Sequence, residues 1–146
     1  MRTITHVVAR LLVAALCLLA AGTLVVWDHD ARNCSGTELE LVALGLNGRA
    51  PSGGPQVAAR RLDDACVDAT PLANAAATLA ARPATAGLAL RLARRATARE
   101  PGTFAAWVGL GDARLAGRDA IGAASAYGRA QELNPRWPGR VVAGGP

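Results

Sequence analysis

Between Trp107 and Arg136 the chain reads WVGLGDARLAGRDAIGAASAYGRAQELNPR, a run built largely from alanine, glycine and arginine. It is either low-complexity filler or a pair of short helices, because methyl-sized side chains at helical spacing let two helices approach closely. Composition decides between them. Hydrophobic residues make up 51% of the chain but aromatic residues only 3%, so a core has to come from Leu, Val and Ala with three Trp. Alanine adds little buried area and is useful where helices nearly touch. The composition therefore predicts an all-α fold.

The spacing inside this run is more specific. Trp107 is followed by Leu110 and Gly111 in a W-x2-L-G relation. Ala123 and Tyr127 stand in an A-x3-aromatic relation, Ala130 follows, and Pro135 closes the unit. In this pattern the chain resembles a tetratricopeptide repeat (TPR), a helix–turn–helix unit recurring about every 34 residues. Arg114 departs from it, standing where the first helix of such a unit usually carries an aromatic. One period earlier, Ala89, Ala93, Ala96 and Pro101 fall under Ala123, Tyr127, Ala130 and Pro135. That unit lacks the Trp and the Leu-Gly pair. A further period back, Ala59 and Leu62 occupy the small and apolar slots, and the turn is longer.

The resemblance implies a TPR-like domain over 31–136, made of hairpins at 36–69, 70–103 and 104–135. Three is about the minimum that lets a repeat stack bury a continuous core. It also implies a peptide groove lined by first helices, to which Val108, Asp112 and Leu115 correspond. In the tail, 137–146, Trp137 either covers the end of the last hairpin or belongs to an exposed linker.

Toward the N-terminus, Leu11 to Trp27 hold no charge, and Val7, Val8 and Ala9 extend the apolar stretch past Arg10. As a helix, 7–27 would span about 30 Å, the thickness of a hydrocarbon core. Arg2 and Arg10 precede it, whereas the following DHDAR is of mixed charge. The positive-inside bias then predicts a single-pass anchor with the N-terminus cytoplasmic and the remaining domain extracytoplasmic. Residues 1–30 form the cytoplasmic stub and transmembrane helix on this reading. The rival is a cleaved signal peptide, for which LAAG at 19–22 offers a weak cleavage pattern. Leu16 before Cys17 argues against a lipoprotein cysteine. Either way the C-terminal portion is exported.

Export matters for Cys34 and Cys66, the two cysteines beyond the apolar stretch. TELELVALGL at 37–46 and QVAARRLDDAC at 56–66 read as helices, with the breaker NGRAPSGGP between them. In an antiparallel hairpin the start of one lies beside the end of the other, so Cys34 and Cys66 could meet. The alternative is two unpaired buried thiols. A disulfide closing a loop of this length stabilises by about 3–4 kcal/mol.

No catalytic constellation or metal-ligand spacing is visible: His6 and His29 flank the apolar stretch, and Ser35, Ser52 and Ser125 have no neighbouring base. An enzyme is not expected, nor any cofactor. All sixteen basic residues are Arg and the net charge is +5, but without interleaved aromatics no base-stacking platform suggests nucleic acid. On 86–99, helical spacing puts Arg91, Arg94, Arg95 and Arg99 on one arc, a candidate contact for acidic protein, anionic lipid or polymer to which Arg82 could add. An ordinary solvated face would look the same.

The sequence thus predicts a membrane-anchored extracytoplasmic interaction module, an adaptor or accessory subunit of a bacterial envelope assembly with a protein partner. Two competitors stand beside it. One is a small subunit that docks through its membrane helix, where Ala14, Ala15, Ala20, Ala21 and Gly22 permit close helix approach. The other is a secreted basic binder of anionic polymer or lipid.

Overall fold

The computed structural model of the chain describes residues 2–139, with the side chains of 12–23 and 31–139. They form six α-helices: α1 (Arg2–Asn47), α2 (Pro55–Ala65), α3 (Ala69–Ala80), α4 (Ala86–Arg99), α5 (Phe104–Ala116) and α6 (Ala120–Leu133). A 3-10 turn at Pro83–Thr85 joins α3 to α4, and there is no strand among the described residues. The fold is all-α. It divides into two units, Met1–Arg32 and Asn33–Pro146.

In the first unit, Leu12, Val13, Leu16, Leu18 and Leu19 are each at least 60% exposed. Among the described residues no helix is long and apolar enough to cross a membrane. The anchor expected at 7–27 extends over 7–11 and 24–27, whose side chains, with those of His6 and His29, lie outside the described residues. The last seven residues of the tail, 140–146, lie outside them too.

The second unit is a set of helical pairs. α3 packs on α4 and α5, and α5 on α4 and α6, while α2 meets α3 and α4. Two glycines let α1 and α5 each lie close against α3. A Cβ on Gly45 of α1 would stand 2.6 Å from the Thr78 carbonyl of α3, and one on Gly109 of α5 would stand 2.9 Å from the Ala73 oxygen. Leu41, Leu62, Leu72 and Leu79 fill the centre with no exposed surface, and alanines of α3, α4 and α5 close around them. The core is built from proximity more than from side-chain bulk, as the composition requires.

Helix ends follow from local chemistry. Glu100 and Asn134 each precede a proline and leave the helical region at φ −134°, ψ 80° and φ −138°, ψ 85°. The proline ring excludes α geometry from the residue before it, so α4 and α6 stop alike. Asp119 caps α6 by accepting from the Gly122 N–H at 2.8 Å. Where that unit departs from the repeat pattern, Arg114 donates to the Gly122 carbonyl oxygen at 2.8 Å, tying α5 to the first turn of α6.

One boundary differs from the sequence expectation. The first hairpin's opening helix does not begin near Thr37, because α1 already contains Cys34, Ser35 and Gly36. No proline interrupts 28–36, and open space around Gly36 leaves only its helix-propensity cost of about 1 kcal/mol. Thr37 makes the back-bond of a helix interior, its hydroxyl donating to the Asn33 carbonyl oxygen at 2.8 Å. Cys34 is therefore inside a helix, and it is bonded to Cys66 with a Cα–Cα distance of 5.0 Å. Trp137 covers the last pair: its ring centroid lies 5.4 Å from Phe104 in an edge-on arrangement and 5.8 Å from Tyr127.

Candidate functional site

Two surfaces of the second unit combine concavity with exposed chemistry, one along the first helices of the pairs and one along the second helices.

On the first-helix side, α3 and α5 enclose a groove of about 440 Å³ lined by Ala77, Ala80, Ala81, Asp112, Leu115 and Ala116. Small alanines on α3 make it shallow, while Leu115, 41% exposed, supplies its largest apolar group. Asp112 is half-buried, and the Tyr127 hydroxyl donates to its Oδ1 at 2.6 Å. That bond exists because Gly111 has no side chain: a Cβ there would stand 2.2 Å from the Tyr127 ring. The carboxylate is thus oriented from behind by α6. Of the three residues expected to line a peptide groove, the structure brings Asp112 and Leu115 together; half-buried Val108 is not part of this lining. A second hollow of about 580 Å³ continues between α1 and α3, sharing Ala77 and carrying Glu38, whose Oε1 accepts from Asn74 at 2.9 Å.

On the second-helix side, α2 and α4 flank a groove of about 600 Å³. Its floor is Ala59, Leu88 and Leu92, and its walls carry Arg60 from α2 and Arg91, Arg94 and Arg95 from α4. The four arginines singled out on 86–99 do not share one role. Arg91 bonds to the Gln56 side chain. Arg95 pairs with Asp63 at 3.1 Å and is otherwise well exposed. Arg99 turns away from this groove and donates to the Cys66 carbonyl oxygen at 2.5 Å and to Asp63 Oδ1 at 2.8 Å. It also reaches the Asp63 carbonyl oxygen, so it closes the last turn of α2, where carbonyls have no intrahelical partner. Arg94 points to solvent from the groove wall.

Sequence reasoning missed Arg60. The assignment of Ala59 and Leu62 to the core already implied that Arg60 faces outward. That it faces α4 depends on how two helices pair, which no periodicity records. Arg82, suggested by the sequence only as an addition to the basic arc, is instead a second arginine clamp, donating to the carbonyl oxygens of Gly45 at 2.8 Å and Leu46 at 3.2 Å.

Glu100 is a third tie of this kind. Its Oε2 accepts from the Thr103 hydroxyl at 2.6 Å and its Oε1 from the Ala69 N–H at 2.8 Å, at the start of α3. The Thr103 hydrogen bond first, then that from Ala69, hold its carboxyl below the ordinary value near 4.5, with a smaller contribution from the Arg99 charge. Among the described residues no three His, Cys, Asp or Glu side chains gather as metal ligands.

No protein-family model, curated protein or solved structure matches this chain, so its two grooves have to carry the functional reading.

Proposed function

We propose that the chain is a membrane-anchored, extracytoplasmic TPR-like module that holds a partner protein on its first-helix face, as an adaptor or accessory subunit of an envelope assembly. The observation that carries this is the groove between α3 and α5, where an exposed Leu115 and an oriented Asp112 flank an alanine floor. Such a surface suits an extended or helical peptide: apolar contact gives affinity, and a fixed carboxylate selects a basic or hydrogen-bond-donating group. The order of the helical pairs and the proline stops one period apart support the repeat reading. The Cys34–Cys66 bond supports an oxidising compartment. Apolar side chains exposed between Leu12 and Leu19 support an anchor, since a helix bare of polar groups on several sides suits lipid better than water.

The test is a photo-crosslinking side chain placed at Leu115 of the full chain in intact membranes, with a second placed at Ile121, which is 84% exposed. A discrete adduct from position 115 and none from 121 is expected, and it should disappear with Ala81→Arg or Asp112→Arg. Identical adducts from both positions would remove the groove from the account. A second reading, a subunit docking through α1, draws on Ala14, Ala15, Ala20, Ala21 and Gly22, all exposed on that helix. Exchange of 7–27 for an unrelated anchor spares an adaptor and disables such a subunit.

A further inference from the structure

We propose that the groove between α2 and α4 is a second docking site, for an acidic segment of a protein whose carboxylates sit on Arg60 and Arg94 while an aliphatic side chain between them rests on Leu88 and Leu92. The site is independent of the first-helix groove, which is built by α3 and α5.

The lining holds four guanidinium groups, from Arg60, Arg91, Arg94 and Arg95, and a single carboxylate, Asp63. Asp63 is already engaged by Arg95 at 3.1 Å and by Arg99 at 2.8 Å. Arg91 is held by Gln56, which neutralises nothing. The guanidinium groups of Arg60 and Arg94 have no hydrogen-bonding or ionic partner among the described residues. Two oriented cations and two open ones therefore surround a volume of about 600 Å³, inside the range of about 300–1,000 Å³ that ligand sites occupy.

The arrangement also selects the class of anion. Guanidinium forks match carboxylates bidentately, and they stand on opposite walls, Arg60 on α2 and Arg94 on α4. The floor between them is aliphatic: Leu88 and Leu92 lie one helical turn apart, with Ala59 facing them. A bilayer surface or a nucleic-acid backbone would meet such charge from outside without filling the groove, and no aromatic side chain lines it for base stacking. A peptide that alternates acidic and aliphatic residues fills both requirements at once.

The experiment uses the full chain in nanodiscs of a neutral lipid and follows the anisotropy of fluorescein-labelled hexapeptides. An alternating Glu–Leu peptide should bind saturably and more weakly at high salt. The Arg60→Glu, Arg94→Glu double variant should lower its affinity by roughly tenfold or more, since each lost pair is charge-assisted. Both guanidinium groups lie outside the internal bonding of the domain, so helical circular dichroism should be unchanged. Leu115→Glu, in the other groove, should leave binding intact, which separates failure of this site from failure of the proposed function. Equal binding of a Glu–Ser peptide, displacement by short-chain phosphatidylglycerol at lower concentration than by unlabelled peptide, or indifference to the double variant would each overturn the proposal.

Discussion

The first and last helical pairs of the domain solve the same problem by different means. In the last pair, α5 and α6 touch through Gly111 and Tyr127, and Phe104 and Trp137 complete a small aromatic cluster. Its cohesion comes from its own two helices, through this packing, the Tyr127–Asp112 hydrogen bond and Arg114 on the Gly122 carbonyl oxygen. In the first pair, α2 buries only Ala58, Ala59 and Leu62. That pair is held by the Cys34–Cys66 bond, by Arg99 on the end of α2 and by Arg82 on the end of α1. Where the sequence matches the repeat pattern well, noncovalent fit suffices. Where the match is degenerate, a covalent bond and arginine clamps from outside the pair take over. Stability in an alanine-rich stack is therefore distributed unevenly, with the poorest-packed pair the most heavily tied.

Removing the covalent tie should break the contrast most. The bond closes a loop with a sequence separation of 32, for which chain entropy gives about 3–4 kcal/mol. Reduction, or Cys34→Ser with Cys66→Ser, is expected to lower denaturant stability by that amount. Amide exchange should quicken in α2 before α6, and uniform loss of protection across both pairs would show that they are not held separately. The next largest effect should come from the opposite pair. Gly111→Val puts atoms inside the Tyr127 ring and should cost about 1–3 kcal/mol by overpacking. The cost should shrink in a Tyr127→Ala background, as a double-mutant cycle would measure. An unchanged cost there would mean that the glycine serves something other than this contact.

The smallest effect concerns acid. Because the folded-state carboxyl of Glu100 is held below its ordinary value near 4.5, it binds its proton less readily folded than unfolded. Its contribution is complete above that ordinary value and is lost as pH falls through the depressed one. Glu100→Gln should flatten the acid limb of the stability curve while leaving neutral-pH helicity in place. A limb of unchanged slope would assign acid sensitivity to other carboxylates.

Much of this was legible beforehand because its signals are local. The range 86–99 for α4 follows from apolar spacing ended by a proline. The pairing of Cys34 with Cys66 needed only the antiparallel order of two helices. What stayed hidden depends on reach. A guanidinium extends far enough that Arg99, on the same arc as Arg94, bonds to another helix's carbonyls while Arg94 meets solvent. The sequence places them on one face, but only the neighbouring helix decides which is consumed. The early start of the second unit's first helix was hidden for a different reason. Gly36 and Ser35 are poor helix formers, and nothing local says that a helix already under way will run through them.

The arginine clamps and the Glu100 cap carry a temporal implication. Gly45, Leu46 and Cys66 receive their donors from Arg82 and Arg99, and the first N–H of α3 receives its acceptor from Glu100. In every case the partner lies later in the chain. During synthesis, which delivers the N-terminal side first, the leading hairpin waits with bare ends until the second hairpin has emerged. The thiol pair has no such wait, since Cys66 follows Cys34 before either clamp exists, so oxidation can fasten the leading hairpin while its successors are still being delivered.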